Sequence, residues 1–225
     1  MGSSPCVLDA VVIPLVLGPS ILDVGCGFGR WGALLTTNYW ETHLAEPGTR
    51  PSITGCDGYL PNVELARQSG FYTEVTHTLF PPLPFANDSF ETVLLLDIVE
   101  HLDSKDGSKL IDEAKRIASR RVILSTPNWP AFRGGHATVT GWNDLEAHLS
   151  YWSRGTLRDL GFRLYGAGWH PGKRYWRGAL RRARLLPLYD ATIRPNIASL
   201  SRCAPFFAEN LVGMWQKKQA PNNAG

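Results

Sequence analysis

The chain reads as an α/β fold with a doubly wound, mostly parallel sheet, and three features of the sequence predict it. Short apolar runs recur as candidate buried strands, segments of helical spacing alternate with them, and Gly or Asp follows them at Gly25, Asp57 and Asp97. Alternation at this spacing implies βαβ units, whose ligand sites lie at the carboxyl ends of the strands.

The elements follow in order. Val7 to Leu17 is apolar but contains Asp9 and Pro14; it is too short to span a bilayer and lacks the basic opening of a signal peptide, so a short helix packed on the domain is expected. Ile21 to Val24 is the first strand, and the glycines after it turn the chain into a helix that begins near Gly29 and covers Arg30 to Asn38. A loop with Glu46-Pro47-Gly48 leads to strand two, Ser52 to Cys56, which ends in Asp57. Pro61 suits a first helical turn, and Val63, Leu65 and Ala66 continue that helix to Gly70. Phe71 to Thr76 is the third strand, and Pro81, Pro82 and Pro84 make the next stretch a loop. Glu91 to Leu96 is a continuous apolar run, as a central strand buried on both faces requires. Leu110, Ile111, Ala114, Ile117 and Ala118 form one buried stripe of a helix between Lys105 and Ser119. Arg121 to Ser125 is the fifth strand, followed by a segment, 127–152, rich in Gly, Pro, Trp and His. A helix over Arg154 to Leu160 and strands at Phe162 to Tyr165 and Phe206 to Trp215 complete the pattern.

With 225 residues the chain supports one sizeable core and a small appended subdomain. Cys6, Cys26, Cys56 and Cys203 are dispersed without a C-x-x-C pair, which argues against a disulfide framework or a zinc site and makes a reducing cytoplasm the simplest home. No histidine spacing argues for a metal. The net charge of +3 conceals an asymmetry: residues 1–150 hold 10 Lys/Arg against 17 Asp/Glu, whereas residues 151–225 hold 13 against 3. Tyr175 to Leu186 reads as a basic amphipathic helix in which Arg177, Arg181, Arg182 and Arg184 interleave with Trp176, Leu180 and Leu185. Such a field attracts an anionic acceptor, an acidic membrane surface to which the protein is peripheral, or a nucleic acid; a solvated basic face without a partner has the same composition.

The glycine turn admits two cofactor classes. Gly27, Gly29 and Gly32 match G-x-G-x-x-G in a shifted frame, while Gly25, Gly27 and Gly29 match G-x-G-x-G. The shifted frame would end the strand two residues before its first glycine and put the ribose-binding acid near Glu46, in a Pro/Gly-bearing loop. The other frame puts Gly25 directly after the strand and Asp57 at the end of the next one, where a carboxylate can accept hydrogen bonds from both hydroxyls of a ribose.

Ile21-Leu22-Asp23-Val24-Gly25-Cys26-Gly27-Phe28-Gly29 resembles the first motif of class I S-adenosylmethionine (SAM) dependent methyltransferases. Leu83-Pro84-Phe85-Ala86-Asn87-Asp88-Ser89-Phe90-Glu91-Thr92-Val93 and Asp97-Ile98-Val99-Glu100-His101-Leu102 match the family in the right order, over roughly residues 20–165. The resemblance implies a Rossmann-like sheet with a final antiparallel strand and an insertion before it. On that basis the chain divides into a SAM-binding core, 1–167, a basic insertion or cap, 168–205, a final core strand, 206–218, and a disordered tail, 219–225.

It also implies SAM as cofactor, with S-adenosyl-L-homocysteine (SAH) as product. Gly25, Cys26, Gly27 and Gly29 would hold the methionine end, whose carboxylate suits the amides at a helix start; Cys26 itself also reads as a small packing residue. Asp23 would bond the turn amides or the ammonium group, or would simply brace the turn. Asp57 would hold the ribose with Gly58 and Tyr59 beside it, or would cap the helix at Pro61. The segment Thr76-His77-Thr78-Leu79-Phe80 lacks the acidic residue that relatives use at the adenine amine, which leaves a side chain such as Leu79 or backbone groups there. Asp97 and Ile98 would pass beside the sulfonium. His101, His148 and His136 are the candidate bases, because imidazole titrates near neutrality. Aromatic residues between Trp129 and Trp152 would line an apolar acceptor pocket. The expected reaction is methyl transfer to an oxygen or nitrogen of a small or lipid-like, anionic acceptor. The alternatives are a non-catalytic SAM-fold protein docking on a partner or membrane through its basic region, and a nucleic-acid methyltransferase, which no recognised nucleic-acid module supports.

Overall fold

A computed structural model describes residues 4–42, 50–168, 182, 184, 202–203 and 205–218. One seven-stranded sheet forms the centre, with β1 (Ser20–Val24), β2 (Ser52–Asp57), β3 (Glu74–His77), β4 (Phe90–Leu96), β5 (Ala118–Pro127), β8 (Arg163–Ala167) and β9 (Asn210–Gln216) in the order β3-β2-β1-β4-β5-β9-β8. β9 pairs antiparallel with both β5 and β8, and every other pairing in this sheet is parallel. The helices α2 (Arg30–Thr42), α3 (Leu60–Gln68), α4 (Ser104–Ile117) and α5 (Arg154–Asp159) complete the alternation.

The two-residue period of a strand divides the core. Leu22, Val24, Val93, Leu95, Val122 and Leu124 face the stripe of α4, together with Trp152 and Leu157. Their neighbours Ile21, Leu94, Leu96 and Ile123 point the other way, onto Trp31 and Leu35 of α2 and onto Leu8, Val11 and Val12 of the N-terminal segment. That segment forms a 3-10 turn, a short helix α1 (Asp9–Val12) and a second 3-10 turn, so it packs on the domain as its composition predicts. Each fully buried Leu or Ile contributes about 1.5–3 kcal/mol. α4 is capped by Asp103, whose carboxylate accepts from the amides of Lys105 and Asp106, and α5 by Ser153, which accepts from Thr156.

The structure departs from expectation in several places, and strand five runs from Ala118 to Pro127 rather than from Arg121 to Ser125. Strand three begins at Glu74 rather than Phe71, because the chain before it delivers the Tyr72 hydroxyl to the Asp23 carboxylate at 2.7 Å. The last strand begins at Asn210 rather than Phe206, because Asn128 Nδ2 donates to the carbonyls of Pro205 and Ala208 and holds 205–207 in a 3-10 turn. The segment after strand five contains an unforeseen hairpin, β6 (His136–Thr138) with β7 (Gly141–Asn143), and Gly141 supplies a φ of +112° at its turn. The hairpin docks on α3 where Thr140 Oγ1 donates to Asn62 Oδ1 at 2.9 Å and the Tyr59 hydroxyl donates to the Trp142 carbonyl. Nearly all of the 168–205 insertion, including the helix expected over Tyr175 to Leu186, lies outside the described residues, as do the Glu46-Pro47-Gly48 loop and the 219–225 tail. Among the described residues no helix is long and apolar enough to cross a membrane.

Gly32 marks the tightest helix-to-sheet approach near the site, since a Cβ there would come within 2.4 Å of the Tyr72 ring. The ring cannot yield freely, because its hydroxyl also accepts from the Gly32 amide at 3.0 Å. Gly32→Ala is therefore expected to destabilise the fold by about 1–3 kcal/mol despite a helix-propensity gain of about 1 kcal/mol. Urea denaturation measures this, and an unchanged or raised midpoint would contradict the packing described.

Candidate functional site

The site is assembled at the carboxyl ends of β1, β2 and β4. After Val24 the chain leaves β1 through Gly25, with φ at +72°, and the amides of Gly25 and Cys26 both donate to the Cys56 carbonyl of β2. A Cβ on Gly25 would meet Ile98 Cδ1 at 2.5 Å, so glycine is required where the turn touches the end of β4. Gly27 and Gly29 also have positive φ, and the Gly27 amide donates to Asp57 Oδ2 at 2.8 Å. The other oxygen of Asp57 accepts from the Tyr59 amide at 2.8 Å. Burial pushes this carboxyl up from its ordinary range, while the two amides and Asn62 pull it back.

A cavity of about 320 Å³ opens over this turn. Its walls include Gly25, Cys26, Gly27, Asp57, Gly58 and Leu79 at one end, then Asp97 and Ile98, then His101 and His148. The volume is at the lower end of the range for small-molecule sites. Asp23, Gly29 and Tyr59 do not line it. Asp23 is turned to Tyr72, and burial, with the charge of Asp57 adding to it and the Tyr72 hydrogen bond opposing, pushes its carboxyl up to about 7. Tyr59 turns its ring to the hairpin. Burial also raises the Cys26 thiol far out of the reactive range, which suits packing.

Asp97 has a φ of +53° and is fixed by Ser125, whose hydroxyl donates to Oδ1 at 2.6 Å. Its Oδ2 is buried without a hydrogen-bond partner among the described residues. Arg30, at the first position of α2, also faces the cavity. Its Nη2 pairs with Asp9 at 2.5 Å, while Nη1 is buried without a hydrogen-bond partner among the described residues. Sequence reasoning did not single out Arg30; its position directly after the last glycine of the turn was the available signal.

The three histidines separate. The ring nitrogen Nδ1 of His101 lies 3.1 Å from the Ala147 carbonyl, which assigns the proton to Nδ1 and leaves Nε2 free to accept. His148 packs edge-on against it, with ring centroids 4.8 Å apart. Burial lowers both imidazoles to about 4. They are neutral at pH 7 and weak as proton acceptors, so their chemistry is that of hydrogen-bonding or ligating nitrogens. His136 lies apart from these two: it does not line the cavity but sits beside Arg133 Nη1, 3.4 Å away, with Glu146 at 4.0 Å. The aromatic acceptor pocket is a correction, because the walls contributed by 129–152 are Arg133, Asn143, Leu145, Glu146 and His148. Phe132 and Trp142 are exposed instead, and Trp152 is buried with its indole N–H on the Val99 carbonyl and the Ser150 hydroxyl.

Residues 21–120, which carry the glycine turn, Asp57, Asp97 and His101, match the family described as Methyltransferase domain. Over that segment the chain is similar to a methyltransferase domain. The ubiquinone biosynthesis O-methyltransferase of Roseobacter denitrificans is 33% identical over 93 residues, which is 39% of this chain and 32% of that protein, so the chain spans about a third of the length of the curated relatives it matches. Among solved structures, a SAM-dependent methyltransferase from Mesorhizobium loti shares 16% identity at a TM-score of 0.55, covering 96% of this chain and 99% of that one. The magnesium protoporphyrin IX methyltransferase of Synechocystis, solved with bound SAM, shares 18% identity at a TM-score of 0.51, over 94% and 78% of the two chains. Both likenesses show a shared Rossmann-like fold.

The cavity fits SAM at both ends of that molecule. Asp57 retains acceptor capacity beyond its two amides, as a ribose diol requires. Among the described residues Arg30 Nη1 and Asp97 Oδ2 are buried atoms without a hydrogen-bond partner, a donor and an acceptor for the carboxylate and ammonium of an amino acid.

The brace behind the turn predicts a pH dependence. A carboxyl held near 7 when folded and near 3.8 otherwise stabilises the fold at low pH, and that contribution is lost as pH rises from about 4 through 7. Tyr72, Asp57, Cys26 and Cys56 are the titratable groups that face it. Asp23→Asn should therefore gain on the native chain by roughly 2–4 kcal/mol across that window. Parallel stability profiles in chemical denaturation would contradict this.

Proposed function

We propose that the chain is a SAM-dependent methyltransferase acting on an oxygen or nitrogen of a small acceptor, with a hydroxyl as the favoured group. One observation carries the reading: a single cavity connects the glycine turn and Asp57 to a polar wall at His101, His148 and Arg133. When bound, SAM supplies an electrophilic methyl group on a sulfonium and leaves as SAH. Asp57 would hold the sugar, Gly58 and Leu79 would flank the base, and Arg30 with Asp97 would hold the amino-acid end. Glu100 and His101 line the same cavity, and most of the acceleration would come from aligning an acceptor atom with the methyl group at near-contact distance.

The polar wall supports a hydroxylated acceptor, and Arg133 supplies a cationic handle for an acidic one. Phe132 and Leu149, sequence neighbours of Arg133 and His148, are 65% and 58% exposed, which suits an acceptor with an apolar part. The name of the curated relatives supports an oxygen acceptor in the same direction. Docking through the basic C-terminal region remains a property of the sequence, because that region lies outside the described residues.

Calorimetric titration tests this reading: SAM and SAH are expected to bind with one site per chain, and NAD is not. Asp57→Ala should weaken SAH by about 1.5–3 kcal/mol, roughly 10- to 150-fold, as for a lost charge-assisted hydrogen bond. Binding of NAD in preference to SAH, or unchanged SAH affinity in the variant, would overturn the assignment. Arg30→Ala should weaken SAM and SAH alike by about tenfold or more, since both carry the same amino-acid end; affinity equal to that of the native chain would remove Arg30 from the site.

A further inference from the structure

Glu100, His101 and His148 each offer one ligand atom, and the three atoms lie within 4.8 Å of one another. The clustering depends on long-range stitching. Glu100 and His101 belong to the 3-10 turn 99–101 that follows β4. His148 is brought to them because the amides of Leu149 and Ser150 both donate to the Glu100 carbonyl, at 2.7 and 3.1 Å, and because the His148 amide donates to the Arg133 carbonyl at 2.9 Å. The His101 N–H on the Ala147 carbonyl closes the same loop and turns Nε2 away from it.

The atoms are prepared for a cation. Glu100 is 2% exposed and its Oε2 has no hydrogen-bond partner among the described residues; Thr126 and the charge of Arg133 act on the same carboxyl, and a cation at Oε2 would offset the rest of its burial. An imidazole whose Nδ1–H is held by a carbonyl presents a fixed Nε2 lone pair, the usual outer arrangement of a metal-ligating histidine. All three residues line the cavity, next to Asp97, so a cation there would keep open positions facing an acceptor.

We propose that Glu100, His101 and His148 form a divalent-metal site that seats the hydroxyl oxygen of the methyl acceptor. Two imidazole nitrogens and one carboxylate oxygen favour Zn²⁺, Mn²⁺ or Co²⁺ over Ca²⁺, which prefers an all-oxygen set. Ligand bonds of about 2.0–2.2 Å would put neighbouring ligand atoms roughly 3–3.5 Å apart, so the three side chains would have to rotate inward to close on an ion. The cation acts as a Lewis acid on the acceptor oxygen. The hydroxyl proton passes to solvent, the oxygen–carbon bond forms as the sulfur–carbon bond breaks, and that bond's electron pair returns to sulfur. The ligand set stands on geometry alone; its role in catalysis rests on the methyl-transfer reading above.

The test uses the full, untagged chain, stripped with a chelator and titrated with Zn²⁺, Mn²⁺ and Co²⁺, with SAH titrated separately. One ion per chain is expected, with visible absorption bands for Co²⁺, and Glu100→Gln and His148→Gln are each expected to weaken metal binding at least tenfold. His148 is partly exposed, so its variant should keep the fold, which circular dichroism checks. Absence of saturable binding by any of the three ions, or binding unchanged in both variants, overturns the proposal. SAH binding without metal binding removes the metal site and leaves methyl transfer standing; metal binding without SAH binding does the reverse.

Discussion

The bond between the Gly27 amide and the Asp57 carboxylate is the constraint on which the site depends. It joins the turn after β1 to the end of β2, and the same carboxylate fixes the start of the next helix through Tyr59. Asp57 is 8% exposed, so it is expensive to bury and is stabilised by the amides that it organises. The parallel pairing of β1 with β2, Val24 opposite Cys56, sets the height at which this meeting occurs. A one-residue slip would turn Asp57 to the other face.

Around that bond the two faces of the sheet divide the labour. On one side α4 and Trp152 form a dry core, and a Cβ on Gly107 would come within 2.4 Å of the Trp152 ring, so helix and indole are in close contact. Trp152 in turn holds the Val99 carbonyl, one residue before Glu100. Core packing thus extends directly into the turn that presents Glu100 and His101. On the other side Asp23 and Tyr72 lock the first turn of α2, which positions Arg30 over the cavity.

Much of this was legible in the sequence because it is local. Ile21 to Val24 followed by alternating glycines announces a strand, a sharp turn and a helix start, and Asp57 is found by counting to the end of the next apolar run. The parallel sheet followed from the alternation of strand and helix segments, whereas the single antiparallel strand followed from the family motifs. What escaped depends on contacts distant in sequence. Glu100 and His148 meet only because backbone amides of the 147–150 stretch bond to the Glu100 carbonyl, so no spacing between histidines could reveal the cluster. The aromatics of 129–152 were expected in the cavity on composition alone, whereas hairpin docking through Tyr59 and Asn62 turns polar residues inward and leaves Phe132 and Trp142 outside. His136 went with the hairpin for the same reason.

The division of the cavity into a donor end and an acceptor end is the central claim, and a crystal structure of the chain with SAH tests it most directly. The ribose hydroxyls should lie on Asp57, the amino-acid end on Arg30 and Asp97, and the sulfur should face Glu100 and His101. Density for SAH elsewhere, or a glycine turn that keeps Asp57 bonded only to its own amides with the ligand pointing away, would contradict it.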